Sequence, residues 1–304
     1  MFWKLPHVRL APDEIFHIGA FPVTNTLLCT WISIIILILF FFFATRRRDL
    51  VPRGIQNLAE WLVELLRGLA ESVLGKGTGG KFFPLAAAIF IFILVSNLLD
   101  VFPGVDTVGT IDTAALQQMH TSSPYGPFLF GDISNAVIPW IRPATTDLNL
   151  TLAMALVVVV TAQAFGFYSL GPVEHLSKYF NFRALFKFSM EGIIEFFVGL
   201  LEIISEIARL LSLAFRLFGN IFAGSVVLAV FAFLLPAVAD IIFIPFEIFV
   251  AFIQALVFAL LTLVYLQLAA VGHGHESEGE HEEIEQVKQG ESTQAERNQA
   301  VATR

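Results

Sequence analysis

Hydrophobic positions in this chain gather into long unbroken runs. Leu27 to Thr45, Phe82 to Leu99 and Leu150 to Val173 contain no charged residue. Each approaches or exceeds the roughly 18–20 residues that carry a helix across a bilayer. Backbone groups in lipid must be satisfied within their own segment, so the runs predict transmembrane helices over 27–45, 82–102 and 149–171. The two-residue alternation of a membrane barrel is absent. Between the first two runs the pattern changes. Ile55, Leu58, Ala59, Leu62, Leu65, Leu66, Leu69, Ala70 and Val73 recur at helical spacing, with Gln56, Glu60, Glu64, Arg67 and Glu71 opposite. This predicts an amphipathic helix over 52–75, entered near Pro52 and stopped by Gly75 and Gly77. Its apolar stripe suits the membrane interface or a partner helix.

A fourth apolar region, Phe188 to Leu235, runs for 48 residues without a proline but with charges embedded. As one helix it would be roughly 70 Å long, more than twice the hydrocarbon thickness. It is therefore broken or strongly tilted. Pro236 ends it, and the segment over 239–271 returns as the second arm of a hairpin. The expected fold is an all-α integral membrane protein. It has about three conventional transmembrane helices, one interfacial amphipathic helix and a long, strongly tilted membrane-embedded helical hairpin (188–235 and 239–271).

Composition strengthens this picture. Hydrophobic residues make up 56% of 304 positions, Phe occurs 32 times, and mean hydropathy is +0.76. A soluble domain of this size could not hide so much apolar surface. Charge supplies the orientation. Arg46, Arg47, Arg48, Arg53, Arg67, Lys76 and Lys81 follow the first run, which places that side in the cytoplasm and residues 1–26 outside. The 103–148 connection carries Asp106, Asp112, Asp132 and Asp147 against Arg142 alone, and is expected outside. Lys178, Arg183 and Lys187 return the chain to the cytoplasm. The first run is too long for a signal-peptide core and is expected to be a retained anchor. Much of the net charge of −8 sits in the 272–304 tail, which reads as a solvated cytoplasmic extension. Its His273, His275 and His281 have no constrained geometry for a metal. Cys29 is the single cysteine, so no intrachain disulfide forms. No internal repeat, phosphate-binding glycine loop, nucleophile elbow or metalloprotease motif is found. No cofactor, metal or nucleic acid is implied.

The embedded charges carry the chemistry. At about 100° per residue, Glu191, Glu195, Glu202, Glu206, Arg209, Arg216 and Asn220 share roughly 80° of arc, bordered by Ser205 and Ser212. Structural ion pairs such as Glu202–Arg209 or Glu206–Arg209 could account for part of the stripe. They cannot account for Arg216, which has no carboxylate in the preceding six or following twenty residues. An arginine near the bilayer centre costs about 2.5–3.5 kcal/mol and usually marks an ion path. It cannot shed its proton to escape that cost. Such a fixed positive group forces an approaching carboxyl group to ionise. Asp240, Glu247 and Gln254 are heptad-spaced on the returning arm, and Tyr265 projects near Glu247. If the arms pack face to face, Glu247 and Gln254 approach Ser225 and Arg216. The wheel alone also fits a carboxylate-based secondary transporter with its own substrate site, or a structural subunit whose charges only pair.

Four stretches narrow the choice. Leu211-Ser-Leu-Ala-Phe-Arg-Leu-Phe-Gly-Asn-Ile-Phe-Ala-Gly224 resembles the signature of the subunit a family of F-type ATP synthases. Ile15-Phe-His-Ile-Gly-Ala-Phe-Pro-Val-Thr-Asn25, Thr146-Asp-Leu-Asn-Leu-Thr-Leu-Ala-Met-Ala-Leu156 and Phe252-Ile-Gln-Ala-Leu-Val-Phe-Ala-Leu-Leu-Thr-Leu-Val-Tyr265 agree in order. The resemblance implies a noncatalytic, proton-translocating stator subunit in a bacterial cell membrane. Its partners would be a rotating ring of subunit c, the peripheral-stalk subunit b and other synthase subunits. Two offset aqueous half-channels would serve ring carboxylates on either side of Arg216. Residue by residue, Glu202 and Arg209 match polar positions on the cytoplasmic side, and Glu206 joins that stripe. Gln254 matches the glutamine that partners the arginine, and Asn220 belongs to the signature. Glu247 matches a position that carries His or Glu, while Ser225 stands where an acid or histidine is usual. Glu247 is therefore expected to carry the outer path. Asp147 and Asn149 look like the mouth of the external half-channel. Leu210 replaces a proline common in the family, and the tail beyond 271 is not explained by the resemblance.

Overall fold

A computed structural model of the chain describes residues 11–46, 51–101, 109–111, 137–171, 175–176, 190–234 and 238–270. The remainder of the N-terminal segment, most of the 103–148 connection, Lys178, Arg183, Lys187, Pro236 and the 272–304 tail lie outside the described residues. The side chains of Glu191, Glu195 and Asp240 do too. Helix dominates: α1 (Asn25–Arg46), α2 (Ile55–Asp100), α3 (Leu148–Leu170), α4 (Met190–Leu234) and α5 (Val238–Ala270). Two short antiparallel hairpins join them, β1 (Glu14–Ile18) with β2 (Phe21–Thr24) and β3 (Gly109–Ile111) with β4 (Val137–Pro139). The pattern of long apolar runs gave no sign of these strands, which lie in the polar connections.

By length and composition α1, α2, α3 and α5 can each cross a membrane, as an all-α integral membrane fold requires. Their packing fits lipid as solvent. Trp31, Ile35, Ile38, Leu39, Phe42 and Phe43 of α1 are exposed to the surroundings. Three of its four hydroxyls are satisfied inside the helix. Thr30, Ser33 and Thr45 donate to carbonyls one turn back, at 2.9, 2.8 and 2.7 Å. Bonds of that kind let polar side chains enter hydrocarbon cheaply. Thr24 caps the helix by accepting the Leu27 N–H at 3.3 Å.

The amphipathic segment and the second apolar run form a single element, α2, with one break. Gly75 sits at φ 78°, ψ 159°, and the chain reverses there. A Cβ on Gly79 would stand 2.6 Å from the Ala70 carbonyl oxygen. Nine residues apart in a straight helix, the two would be roughly 13 Å apart. The second arm therefore begins at once after Gly75 and runs through Gly77, Gly79 and Gly80, although the glycines read as stop signals. Close approach of the two arms needs the missing side chain at Gly79, and packing overrides the poor helix propensity. Ala70 and Ala86 then bury with Leu263 of α5, flanked by Val73, Leu74 and Phe83. Phe90 meets Phe252 edge-on, with ring centroids 5.8 Å apart.

The fourth region is one continuous helix of 45 residues. The chain divides into two compact units, one within residues 1–158 and 208–264, the other within 159–207 and 265–304.

Gly79→Ala should destabilise the first unit by about 1–3 kcal/mol, since the added methyl meets backbone rather than a flexible side chain. Gly80→Ala, which meets nothing within 4 Å, is the control. Thermal denaturation of the detergent-solubilised protein compares them: Gly79→Ala lowers Tm and Gly80→Ala does not.

Candidate functional site

In the first unit, α4 has a packed face and an open one. Leu213, Ala214, Leu217 and Ile221 are buried, while Leu211, Phe215 and Val227 are exposed. Arg216 and Asn220, one turn apart, stand on the border between these faces and are themselves exposed. Among the described residues, Arg216 makes no ion pair or hydrogen bond.

Behind Arg216 the arms of the hairpin touch through polar groups. Asn220 Nδ2 donates to Gln254 Oε1 at 2.7 Å, and Gln254 is buried. The face-to-face packing expected from the spacing thus brings Gln254 to Asn220. A narrow cleft opens beside this bond, lined by Asn97 of α2, Asn220 and Gly224 of α4, and Glu247 of α5, between apolar walls that include Ile221 and Val250. It leaves about 20 Å³ for the centres of water molecules, enough to admit water. The glycine is part of the design: a Cβ at Gly224 would lie 3.3 Å from Glu247 Oε1. Ser225 donates its hydroxyl to the Ile221 carbonyl at 3.0 Å, within its own helix.

A second polar patch adjoins the cleft through Asn97. Asn97 Oδ1 accepts the Thr145 hydroxyl at 2.6 Å. Among the described residues, Asn97 Nδ2, Ser96 Oγ and Gln254 Nε2 are buried without a protein partner. Three such atoms in one region are the sign of a wet interior. Thr145 belongs to a buried 3-10 turn, Ala144–Thr146, held by Arg142, whose Nε donates to Thr146 Oγ1 at 3.1 Å. Asp147 follows. Its carboxylate caps α3 by accepting the Asn149 N–H at 2.9 Å, and it also accepts the Thr26 hydroxyl at 3.2 Å. Asn149 is exposed. Asp147 is thus engaged in fixing the start of α3 to the start of α1.

The second unit holds the lower stripe. Glu202 and Glu206 are half-buried there. Glu206 Oε1 accepts from Gln163 Nε2 at 2.5 Å, and Gln163 Oε1 lies 2.8 Å from His175 Nε2. Arg209, in the first unit, is half-buried as well. Asn97, Ser96, Thr145, Gln163 and His175 were not singled out by periodicity. Ser96 and Asn97 form an isolated polar pair in an apolar run, which was the available signal, whereas Thr145 and His175 stand beside other polar residues.

The comparisons with known proteins fit this arrangement. The family model for the ATP synthase A chain matches residues 27–267. That range takes in the whole cleft. The chain belongs to the ATP synthase subunit a family. It is 32% identical over 271 residues to ATP synthase subunit a of Moorella thermoacetica, covering 89% of this chain and all of that one. Identity is also 32% over 251 residues to the subunit a of Mycobacterium ulcerans (81% and 86% covered). The subunit a of Rhizobium etli is 31% identical over 284 residues (88% and 95%). Asn220 thus bonds Gln254 and shares the cleft with Glu247, and Arg216 stands one turn before it on α4.

Gly224→Val should displace the Glu247 carboxyl and fill the cleft without touching the Asn220–Gln254 bond. Proteoliposomes carrying the variant complex should show ATP-driven proton pumping reduced several-fold, at a subunit content equal to wild type on native gels.

Proposed function

We propose that this protein is the noncatalytic proton-conducting stator subunit of a rotary ATP synthase, working against a ring of subunit c and held by the peripheral stalk through subunit b. The observation that carries the reading is Arg216, a guanidinium with no ion pair or hydrogen bond among the described residues, on the open border of α4 and one turn from the Asn220–Gln254 bond and its cleft. A carboxyl group carried past that border meets a positive charge in a poorly screened setting. It ionises, because an opposite charge nearby favours the charged form. Lysine could avoid the encounter by losing its proton, and arginine cannot. Arg216 therefore separates two half-channels: a ring carboxylate cannot pass it while still protonated.

Protons reach the ring on the external side through the cleft. Asn97, Glu247 and Asn220 line it, and the buried polar atoms of Ser96, Asn97 and Gln254 would hold a short file of water. Glu247 is the titratable member, and Ser225, bonded to its own helix, is secondary. Asp147 and Asn149 lie at the mouth, where Asp147 also fixes α3. Glu202, Glu206 and Arg209 line the cytoplasmic side. In this reading α4 lies strongly inclined in the membrane, the N-terminus is external and the tail cytoplasmic, in the bacterial cell membrane. The transporter alternative needs an enclosed substrate site around its charge. An arginine directed to an open face favours a moving partner instead.

Arg216→Ala should assemble normally and abolish ATP-driven proton pumping, and Arg216→Lys should fail as well. Pumping at the wild-type rate by either variant would refute the mechanism. Glu247→Gln should slow pumping severely with assembly intact, while Ser225→Ala should matter little. The reverse ranking, read in the same quenching assay, would move the outer path to a water chain through the Ser225 hydroxyl.

A further inference from the structure

The buried chain Glu206–Gln163–His175 has no part in the cleft or in the work of Arg216. His175 is 1% exposed, and its backbone N–H donates to the Gly171 carbonyl at 3.0 Å. Its ring lies on α3. A Cβ at Gly166 would collide with the imidazole, standing only 2.7 Å from Nδ1, so glycine is what admits the ring. Phe167 covers it with ring centroids 4.5 Å apart. A site fitted this closely to an imidazole could have been filled by an apolar ring at no polar cost.

The direction of the hydrogen bonds gives the chain its chemistry. Gln163 donates from its amide nitrogen to Glu206, which leaves its oxygen toward His175. That oxygen can only accept, so His175 Nε2 carries a proton. Both donors therefore point toward the carboxylate. A second proton on the imidazole makes the His175 bond charge-assisted and polarises the amide further. The hydrogen bond that holds the Glu206 carboxylate is thereby strengthened when His175 takes up a proton. α4 carries Glu202 one turn before Glu206 and Arg209 nearly one turn after. α3 presents Gln163, Gly166 and Phe167, and α5 brings the Ala269 carbonyl, with Tyr265 as the titratable side chain nearest in sequence.

We propose that His175 is a positioning residue for proton exchange at Glu206, setting through Gln163 how readily that carboxyl group releases its proton to cytoplasmic water. The inference rests on reading α4 as the ion path. The step is a simple one: Glu206 passes its proton to water and becomes a carboxylate, which the Gln163 N–H then holds. Conduction on this side thereby responds to pH in the range where imidazoles change charge.

The test uses intact complexes in proteoliposomes, with ATP-driven proton pumping measured between about pH 6 and 8 and normalised to uncoupled ATP hydrolysis. His175→Gln keeps an N–H donor but cannot titrate. It should assemble and lose a several-fold part of the pH dependence. Glu206→Gln should lose the same part, and the double variant should match Glu206→Gln alone, as expected for residues acting through one chain. Gln163→Leu, which leaves the imidazole in place, should flatten the profile as His175→Gln does. A wild-type profile in His175→Gln, or independent additive effects in the double variant, would overturn the proposal. Loss of assembly in both His175→Gln and Gln163→Leu would also overturn it, marking the chain as a structural tie. Arg216→Ala run alongside separates the two readings. If it pumps, the ion-path reading itself fails. If it is inactive while His175→Gln keeps the wild-type profile, only the role of His175 fails.

Discussion

A positive charge that cannot be neutralised, held at the border of a membrane-embedded helix, is the constraint to which the rest of this structure answers. Arg216 cannot lose its proton, and among the described residues it has no carboxylate to pair with. It would cost about 2.5–3.5 kcal/mol in hydrocarbon if left there alone. The surrounding chain is arranged to keep that charge available. Leu213, Ala214, Leu217 and Ile221 pack one face of α4, the Asn220–Gln254 bond ties α4 to α5 behind the arginine, and the open face carries Leu211, Phe215 and Val227. A moving carboxylate that neutralises the charge in passing would complete the arrangement.

Lipid as solvent explains much of the remaining design. Large apolar side chains face outward on α1, and hydroxyls bond within their own helices. Among the described residues, Ser96 Oγ, Asn97 Nδ2 and Gln254 Nε2 are buried without protein partners, and Asn97 lines the cleft. An unsatisfied amide in hydrocarbon is expensive. A group of them around Asn97 and Gln254 points to water at that depth. The same economy governs glycine. Gly79, Gly166 and Gly224 each sit where another group needs the space of a side chain: a backbone carbonyl, an imidazole and a carboxylate.

The sequence made some of this legible and could not have revealed the rest. α1 and α3 follow from uncharged runs of bilayer length, because lipid filters composition so strongly. The stripe on α4 was visible because one helix carries all its members. The spacing of Glu247 and Gln254 suggested an approach to Ser225 and Arg216, and the bond that forms between the arms joins Gln254 to Asn220. Contacts between distant elements left no period to read. Asn97 with Thr145, and Gln163 with both Glu206 and His175, join residues that look unremarkable along the chain. The reversal at Gly75 was hidden for a related reason. Gly75 and Gly77 signal a stop by propensity, and the helix breaks at Gly75, but Gly77 lies inside the second arm together with Gly79, which serves close packing there. Asp147 shows a third kind of limit. Its position suggested a channel mouth, and its carboxylate also caps α3, which no spacing rule separates from ion conduction.

The central claim is that the open face of α4 beside Arg216 meets the carboxylate-bearing helix of subunit c. Cysteine crosslinking tests it most directly, in a background where Cys29 is replaced. Cysteines at Ser212 and Ala223, both exposed on that face, are paired with cysteines flanking the ring carboxylate and oxidised in native membranes. Disulfides between these positions and subunit c are the predicted result. Crosslinks to subunit c from the exposed face of α1, at Ile35 or Ile38, with none from Ser212 or Ala223, would contradict it.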